Sequence, residues 1–410
     1  MAGIVSIIDV TNRDGTQAAR MLLPKLSKTL LNIYLDRMGV FQSELGFPTL
    51  AHEAGYINAN LKMAEAGGMP RIRLQGWCRA LPEDVELALT NCPQLKHLNL
   101  SLPVSDTMIA AKFQGRKRFD SMEESLLRAA AQARQMGVES LSLGAEDASR
   151  APLERLKELS ACAKESGMDR FRYSDTLGLD DPLRMHRRIG AIAAASNIPI
   201  EIHCHNDLGF AVASSVAAAQ AAAASGVDAY VNTTVNGYGE RAGNCDLVTT
   251  LLALTCSPDM QALKVDSALD LSQSWKIAQY AAYAFGIPIP LMQPGTGMNA
   301  FAHESGIHAD GILKDPQCYE PFDPSLIGRG EPLLTETGRI LSTGAYSGLS
   351  GFRHVYDRLG IAFSDDDAAR RVLHLVQLAN LQTLKPLTDN ELILIAGHPD
   401  IVAEILTVKA

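Results

Sequence analysis

Two histidines, His203 and His205, stand two residues apart in the segment Glu201-Ile-His-Cys-His-Asn-Asp-Leu-Gly-Phe210. The alternation of apolar and polar residues around them is that of a strand, in which side chains at i, i+2 and i+4 share one face. Glu201, His203 and His205 therefore point one way, and Ile200, Ile202 and Cys204 the other. Two imidazoles converging on one point above a carboxylate form half of a divalent-metal site. A histidine pair of this spacing also occurs as a satisfied core pair, so the rest of the chain has to decide. Asp14 is the expected third ligand, because Gly15 beside it permits the tight turn that would aim the carboxylate inward. Such an open site suits a chelating 2-oxo acid, whose carbonyl a divalent cation (Mg2+, Mn2+ or Zn2+) would polarise for attack by a carbon nucleophile. Arg13, adjacent in sequence, is placed to offset charge on the developing oxyanion or to pair with Glu44.

These groups need a scaffold that brings distant segments together. Short apolar runs at 4–10, 40–47, 72–77, 97–102, 140–144, 170–174, 198–205 and 228–235 read as strands, separated by segments of helical period such as 121–136 and the Ala-rich 211–224. Strands and helices alternating in this number within about 255 residues predict a (β/α)8 TIM barrel, whose chemistry sits at the C-terminal strand ends. The polar residues fall there: Arg13 and Asp14 after the first strand, Glu44 on the second, Glu146-Asp147 at the fifth, Asp175-Thr176 at the sixth, the histidines on the seventh and Asn236 to Asn244 after the eighth. Asp147, Asp175 and Asp207 are equally readable as helix N-caps. Beyond Ser257 the pattern changes. A helix is expected over 266–285, then a Gly/Pro-rich linker, a weakly helical 300–313 and small C-terminal helices at 364–379 and 389–396. The predicted organisation is a barrel over 1–257, a helical and linker segment over 258–330 and a small, mainly helical C-terminal extension over 331–410.

A formal net charge of -9, with no long basic run, argues against nucleic acid or an anionic membrane as partner. Only Arg116-Lys117-Arg118 is locally basic, a solvated face that could meet phosphates. The seven cysteines are odd in number and scattered without a C-x-x-C pair, which fits a reducing cytoplasm better than a disulfide framework. The chain contains no run of eighteen apolar residues, no P-loop, no complete dinucleotide fingerprint and no G-x-S-x-G elbow.

Several motifs resemble the DRE-TIM metallolyases, and within them the acyl-CoA:2-oxo-acid condensing enzymes of the isopropylmalate and homocitrate synthase type. They are Arg13-Asp-Gly-Thr-Gln17, Glu44-Leu-Gly-Phe-Pro48, Glu201-Ile-His-Cys-His-Asn-Asp207 and Asn236-Gly-Tyr-Gly-Glu-Arg-Ala-Gly-Asn244, and the similarity runs from Asp9 to about Leu392. The resemblance implies Asp14, His203 and His205 as metal ligands with Asn244 on or near the ion, Arg13 stabilising enolate or alkoxide charge, and Gln17 and Thr176 touching the oxo acid. It also implies a homodimer in which the linker crosses to the partner's barrel. There His308 of His303-Glu-Ser-Gly-Ile-His308 would pair with Glu146 in proton transfer from the methyl group of acetyl-CoA. Residues 143–151, 170–178 and 303–315 resemble bacterial homocitrate synthases of the nitrogen-fixation type, and Glu201 suits that group. The expected reaction is therefore condensation of acetyl-CoA with 2-oxoglutarate and thioester hydrolysis, with Glu44 and Glu201 among the groups around the substrate. Re-face citrate synthase, which takes oxaloacetate, is the alternative, followed by isopropylmalate or citramalate synthase and, in another class, a 3-hydroxyacyl-CoA lyase or aldolase. Two departures from the usual motifs bear on the acceptor. Asn12 and Thr16 interrupt the first motif beside the metal loop, and Thr343-Gly-Ala-Tyr-Ser-Gly348 replaces a Gly-Lys-His-Ser-Gly.

Overall fold

The computed structural model describes residues 3–116, 118–330, 342–345 and 347–407; Lys117 and Tyr346 lie outside the described residues. Its core is a closed parallel barrel of β1 (Ile4–Asp9), β2 (Gln42–Gly46), β3 (Arg73–Arg79), β4 (His97–Pro103), β5 (Ser140–Glu146), β6 (Arg170–Asp175), β7 (Ile200–Cys204) and β8 (Ala229–Thr233). Neighbours pair in sequence order, and β1 closes the ring by pairing with both β8 and β2. A two-residue strand, β9 (Lys264–Val265), adds to β1 from outside the ring. All the strands expected from hydrophobic patterning form, because each alternates an outward apolar face with an inward polar one. Among the described residues, no helix is long and apolar enough to cross a membrane.

The connecting helices are α1 (Lys25–Met38), α2 (Ala51–Glu65), α3 (Pro82–Asn91), α4 (Asp106–Phe113), α5 (Phe119–Gln135), α6 (Leu153–Glu165), α7 (Pro182–Ser196), α8 (Ala211–Ala224) and α9 (Leu247–Cys256). Their buried faces meet Val5, Ile7, Leu98, Leu100, Phe171, Ile200 and Val231 on the outside of the strands. The alanines of α8 leave little side chain between helix and sheet, so α8 packs closely on β7 and β8. Asp181, not Asp175, caps α7, accepting from Leu183 N and Arg184 N.

After the barrel come α10 (Ser274–Phe285), α11 (Gly306–Lys314), α12 (Leu349–Arg358), α13 (Asp366–Thr383), α14 (Asp389–Gly397) and α15 (Pro399–Leu406). The helix expected over 266–285 is shorter, since Asp270 accepts from Ser272 N and starts a 3-10 turn ahead of α10. The segment 300–313 splits at 302–305 into a 3-10 turn and α11. The helix expected from 364 begins two residues later, at Asp366, because Asp365 caps α13 by accepting from Ala368 N. Patterning did not reveal α12 and α15, which are short and take their order from packing: α15 lies against α2 and α13, and Phe352 and Tyr356 of α12 are buried. Tyr280 Oη to Glu391 (2.7 Å) and Asn390 Nδ2 to Tyr34 Oη (2.7 Å) tie this region to α10 and α1.

The barrel interior is charged where most barrels are aliphatic. Arg172 on β6 donates from Nη2 across the lumen to Glu44 of β2 (2.5 Å) and from Nε to Glu201 on the neighbouring β7 (2.6 Å). Arg170 donates to the other Glu201 oxygen (3.1 Å), and Arg13 Nε to Glu44 (2.6 Å). Burial alone would raise the pKa of Glu44, but Arg13 and Arg172 outweigh it and bring it down to about 2. Burial likewise opposes ionisation of Glu201, and Arg172 and Arg170 hold its pKa below the usual value. Removing one partner of such a network strands a buried charge, at about 3–5 kcal/mol. Arg172→Met should therefore lower unfolding free energy by about 3–5 kcal/mol in denaturant titrations; an unchanged midpoint would show that the network does not carry the barrel.

Asp9, at the end of β1, is fully buried; Oδ1 accepts from Thr11 N (2.9 Å), while Oδ2 has no partner among the described residues. Burial pushes its pKa up to about 7 against the Thr11 hydrogen bonds. Between the unfolded value near 3.8 and about 7, the unfolded chain loses this proton and the folded chain keeps it, so rising pH removes stability across that window. Asp9→Asn should gain on the wild type as pH is raised from about 4 to about 7, by on the order of 1 kcal/mol per unit. A stability difference between the two that does not vary with pH would refute the buried neutral acid.

Candidate metal centre and the cavity around it

Asp14, His203 and His205 meet above the charged interior, at the C-terminal ends of β1 and β7, and all three are buried. His203 Nε2 lies 3.0 Å from Asp14 Oδ2, His205 Nε2 lies 3.5 Å from the same oxygen, and the two Nε2 atoms are 3.4 Å apart. Ligands about 2.1 Å from one ion stand roughly 3.0–3.4 Å apart at tetrahedral or octahedral angles, so the three donors fit a single divalent cation.

The surroundings prepare them for that role. His203 Nδ1 faces Asn232 Oδ1 (3.2 Å), and Asn232 Nδ2 donates to Glu201 Oε1 (3.0 Å). This relay places the imidazole proton on Nδ1 and leaves the Nε2 lone pair for a metal. Burial and the neighbouring His203 depress the His205 pKa to about 4, which keeps that ring neutral at pH 7. Burial would raise the Asp14 pKa, but Arg13 and the two histidines hold it far below the usual range.

Asn244 is delivered by the turn after β8, whose Cys245 N bonds Cys204 O (3.2 Å) and whose Gly243 O accepts from Asn206 N (2.9 Å). Its Nδ2 is 3.2 Å from Asp14 Oδ2, and its Oδ1 is buried without a partner. Turning the amide over would direct that oxygen at the ion. A Cβ on Gly239 would lie 1.6 Å from Asn244 Oδ1, so this position requires glycine.

The donors open into a cavity of about 290 Å³. Arg13, Asp14, Gln17, Glu146, Thr176, His203 and His205 all line it, and Arg13 Nη1 contacts both Asp14 Oδ2 (3.4 Å) and Gln17 Oε1 (3.3 Å). Thr176 Oγ1 accepts from Asp147 N (2.9 Å), which fixes the ends of β5 and β6 relative to each other. Asp147 stands at the N-cap position of the 3-10 turn 148–150 but makes no capping hydrogen bond, and Asp207 is not a helix cap. Asp147 takes Arg150 Nε (2.9 Å), and Asp207 takes Arg241 Nε (2.8 Å).

Other expected residues sit elsewhere. Glu44 and Glu201 do not line the cavity; both are fully buried beneath it, neutralised by Arg13, Arg170 and Arg172, so they act on the arginine and the metal ligand rather than on a substrate. Asn12 turns away to bond Lys28 O (2.9 Å) and Asn32 Oδ1 (2.8 Å), and Thr16 Oγ1 bonds the Asn12 and Arg13 carbonyls (3.1 Å each). Neither residue shapes the cavity. His308, on α11, is exposed and stacks on Tyr319 at 4.2 Å; no contact with Glu146 occurs among the described residues of the single chain. Glu146 instead takes Lys112 Nζ at 2.6 Å from each carboxylate oxygen.

The sequence reading missed Phe47, Trp77, Asn99, Ser101, Arg172 and Ser174 on the cavity wall. A signal was present: Ser174, like Arg172, lies on the inward face of its strand at the period-2 position. Phe47 and Trp77 pack edge to face at 5.2 Å and close one side, while Asn99, the register partner of Trp77 on β4, has its Oδ1 buried without a partner among the described residues.

Comparison with known proteins agrees with this geometry. The HMGL-like family matches residues 4–280, and the family described as homocitrate synthase post-HMGL domain-like matches residues 296–383. The chain is 51% identical to a citrate (Re)-synthase of Dehalococcoides mccartyi, over 99% of this chain and 98% of that one. It is 33% identical to homocitrate synthase 1 of a Nostoc species, over 95% and 96% of the two chains. An HMG-CoA lyase structure from Bacillus subtilis superposes with a TM-score of 0.56 at 18% identity, covering 70% of this chain and 95% of that one, which speaks for the fold alone. These identities shift the balance from the homocitrate reading towards its alternative. The chain belongs to the HMGL-like family, among the DRE-TIM acyl-CoA:2-oxo-acid condensing enzymes.

Proposed function

We propose that the protein is a metal-dependent Re-face citrate synthase that joins the acetyl group of acetyl-CoA to oxaloacetate and hydrolyses the resulting thioester. The observation that carries the reading is the 51% identity, over nearly the whole of both chains, with a citrate (Re)-synthase. The cavity is compatible with it: small, walled by Phe47 and Trp77, and supplied by Asn99, Ser101 and Ser174 with polar groups for a second carboxylate.

Asp14, His203 and His205, with Asn244 beside them, would hold a divalent ion, which would supply Lewis acidity to a bound 2-oxo acid. Arg13, steadied by Glu44, offers its guanidinium to the charge that develops on the keto oxygen. Gln17 and Thr176 orient the acceptor. Glu146, on the same cavity wall, takes part in removing a proton from the acetyl methyl group. The carbanion electron pair left behind forms the new bond to the keto carbon, and water then releases the CoA thiol.

The chain is proposed to work as a homodimer, in which His308 reaches the partner's Glu146. Supporting this are apolar side chains of the linker and α11 that stand in solvent, Met292 at 82% exposure, Ile307 at 75% and Leu313 at 86%, surface that a partner subunit would cover.

Two measurements test the reading. With a panel of 2-oxo acids, thiol release from acetyl-CoA should occur with oxaloacetate and stop on chelation; release only with 2-oxoglutarate would restore the homocitrate assignment, and cleavage of a hydroxyacyl-CoA without condensation would move the protein to the lyases. His203→Ala should lower kcat by at least about a thousandfold (about 4 kcal/mol) and weaken metal binding while the circular dichroism stays that of the barrel. Retained turnover would remove His203 from the centre.

A further inference from the structure

Behind the turn that carries Arg13 and Asp14 lies a cluster of buried amides, side chains found mostly at protein surfaces. Asn32 of α1 is its centre, and all four of its hydrogen-bonding positions are filled. Its Oδ1 accepts from Asn12 Nδ2 (2.8 Å) and Ser43 Oγ (2.7 Å), and its Nδ2 donates to Tyr56 Oη (3.1 Å) and Asn60 Oδ1 (3.0 Å). Asn12, Asn32, Ser43 and Asn60 are all fully buried. The central amide can stand only one way round. Asn12 Nδ2 also donates to Lys28 O (2.9 Å) and Asn60 Nδ2 to Tyr56 O (2.9 Å), and carbonyls only accept, so Asn12 presents a donor to Asn32 and Asn60 an acceptor.

The two residues bridged by the Asn32 oxygen are the sequence neighbours of a pair that meets in the lumen: Asn12 precedes Arg13, and Ser43 precedes Glu44. The backbone ladder between β1 and β2 ends where Asp9 meets Ser43 and does not extend to Arg13. Past that point the chain turns, with the amides of Arg13, Asp14 and Gly15 all directed at Val10 O. Side chains join this turn to β2 in two places, Arg13 to Glu44 on the inner side and Asn12 through Asn32 to Ser43 on the outer side. Resting on the condensation reading above, in which Arg13 meets the charge developing on the keto oxygen, we propose that Asn32 is a positioning residue for Arg13. It sets Asn12 against Ser43, and thereby the guanidinium against Glu44 and the acceptor. Leucine side chains would fill the same space, but dispersion has no preferred direction, whereas four hydrogen bonds fix both distance and angle. A displacement of about 1 Å at a group that stabilises transition-state charge can cost on the order of a hundredfold in rate.

The test is a double-mutant cycle on the metal-loaded, full-length protein, read as thiol release from acetyl-CoA with the accepted 2-oxo acid. Asn32→Ala should lower kcat about 30- to 100-fold while the KM for both substrates and the metal Kd stay within about threefold, because Arg13 acts on the transition state. In an Arg13→Met background the same substitution should lower kcat by less than about threefold. An equal loss in both backgrounds, or an unchanged kcat in Asn32→Ala, would reduce Asn32 to a part of the fold and overturn the proposal. If Asn32→Ala does not fold, Asn12→Leu, which cuts the bridge on the turn side alone, carries the same cycle. A crystal structure of either variant separates this inference from the reaction. An Arg13 Nε to Glu44 Oε1 distance beyond about 3.5 Å supports it even if the wild type releases no thiol with any acceptor and the condensation reading falls, and a distance still near 2.6 Å overturns it.

Discussion

One guanidinium, that of Arg172, is shared between two buried carboxylates that lead to different parts of the site. Glu44 passes on to Arg13, which faces the cavity. Glu201 passes through Asn232 to the Nδ1 side of His203. Arg13 at the cavity and His203 of the candidate metal centre are thereby braced against a single point in the lumen. Desolvating these groups is expensive, and the arrangement holds because every charge in it has a partner of opposite sign at hydrogen-bond distance. An aliphatic lumen would fill the barrel equally well but would not fix the angle of either side chain.

Above this anchor the site separates its functions by wall. The donors and Arg13 occupy the ends of β1 and β7, Glu146 closes β5, and the variable polar and aromatic groups come from β2 to β4 and β6. Metal-side groups depend on backbone that cannot be altered without clashes, as at Gly239 against Asn244. Gly178 is equally constrained, with φ of 60° and a Cβ position 2.7 Å from His205 O. The opposite wall is constrained too, since a Cβ on Gly76 of β3 would lie 2.8 Å from Leu95 and one on Gly144 of β5 2.9 Å from Asn99 Oδ1.

What could be read from the sequence was local. Strands announce themselves by alternation over five to seven neighbours, and the metal ligands follow from residue type at the ends of those strands. The roles of Glu44 and Glu201 depend on partners on other strands, Arg172 lying across the lumen and 128 residues from Glu44 and on the strand beside Glu201, and no local pattern carries that information. For the same reason Glu201, which the resemblance linked to one choice of acceptor, lies where it cannot touch an acceptor. Asn12 was close to the metal loop in sequence but faces α1 in space, since the turn after β1 puts consecutive side chains on opposite sides. The short helices α12 and α15 exist through their contacts with α13 and α2, which lie far away in the chain or have little pattern of their own.

Trp77 belongs to the wall of the metal cavity and of a second cavity, of about 350 Å³, that is also lined by Leu81, Leu102, Phe113 and Met122. A side chain shared by two walls couples the shapes of the two spaces. Any replacement that enlarges one moves the boundary of the other, so a change of fit on one side must be compensated on the other. Trp77 is in this sense a pleiotropic position, and changes there should be found together with changes at Ser101 or Phe47 rather than alone.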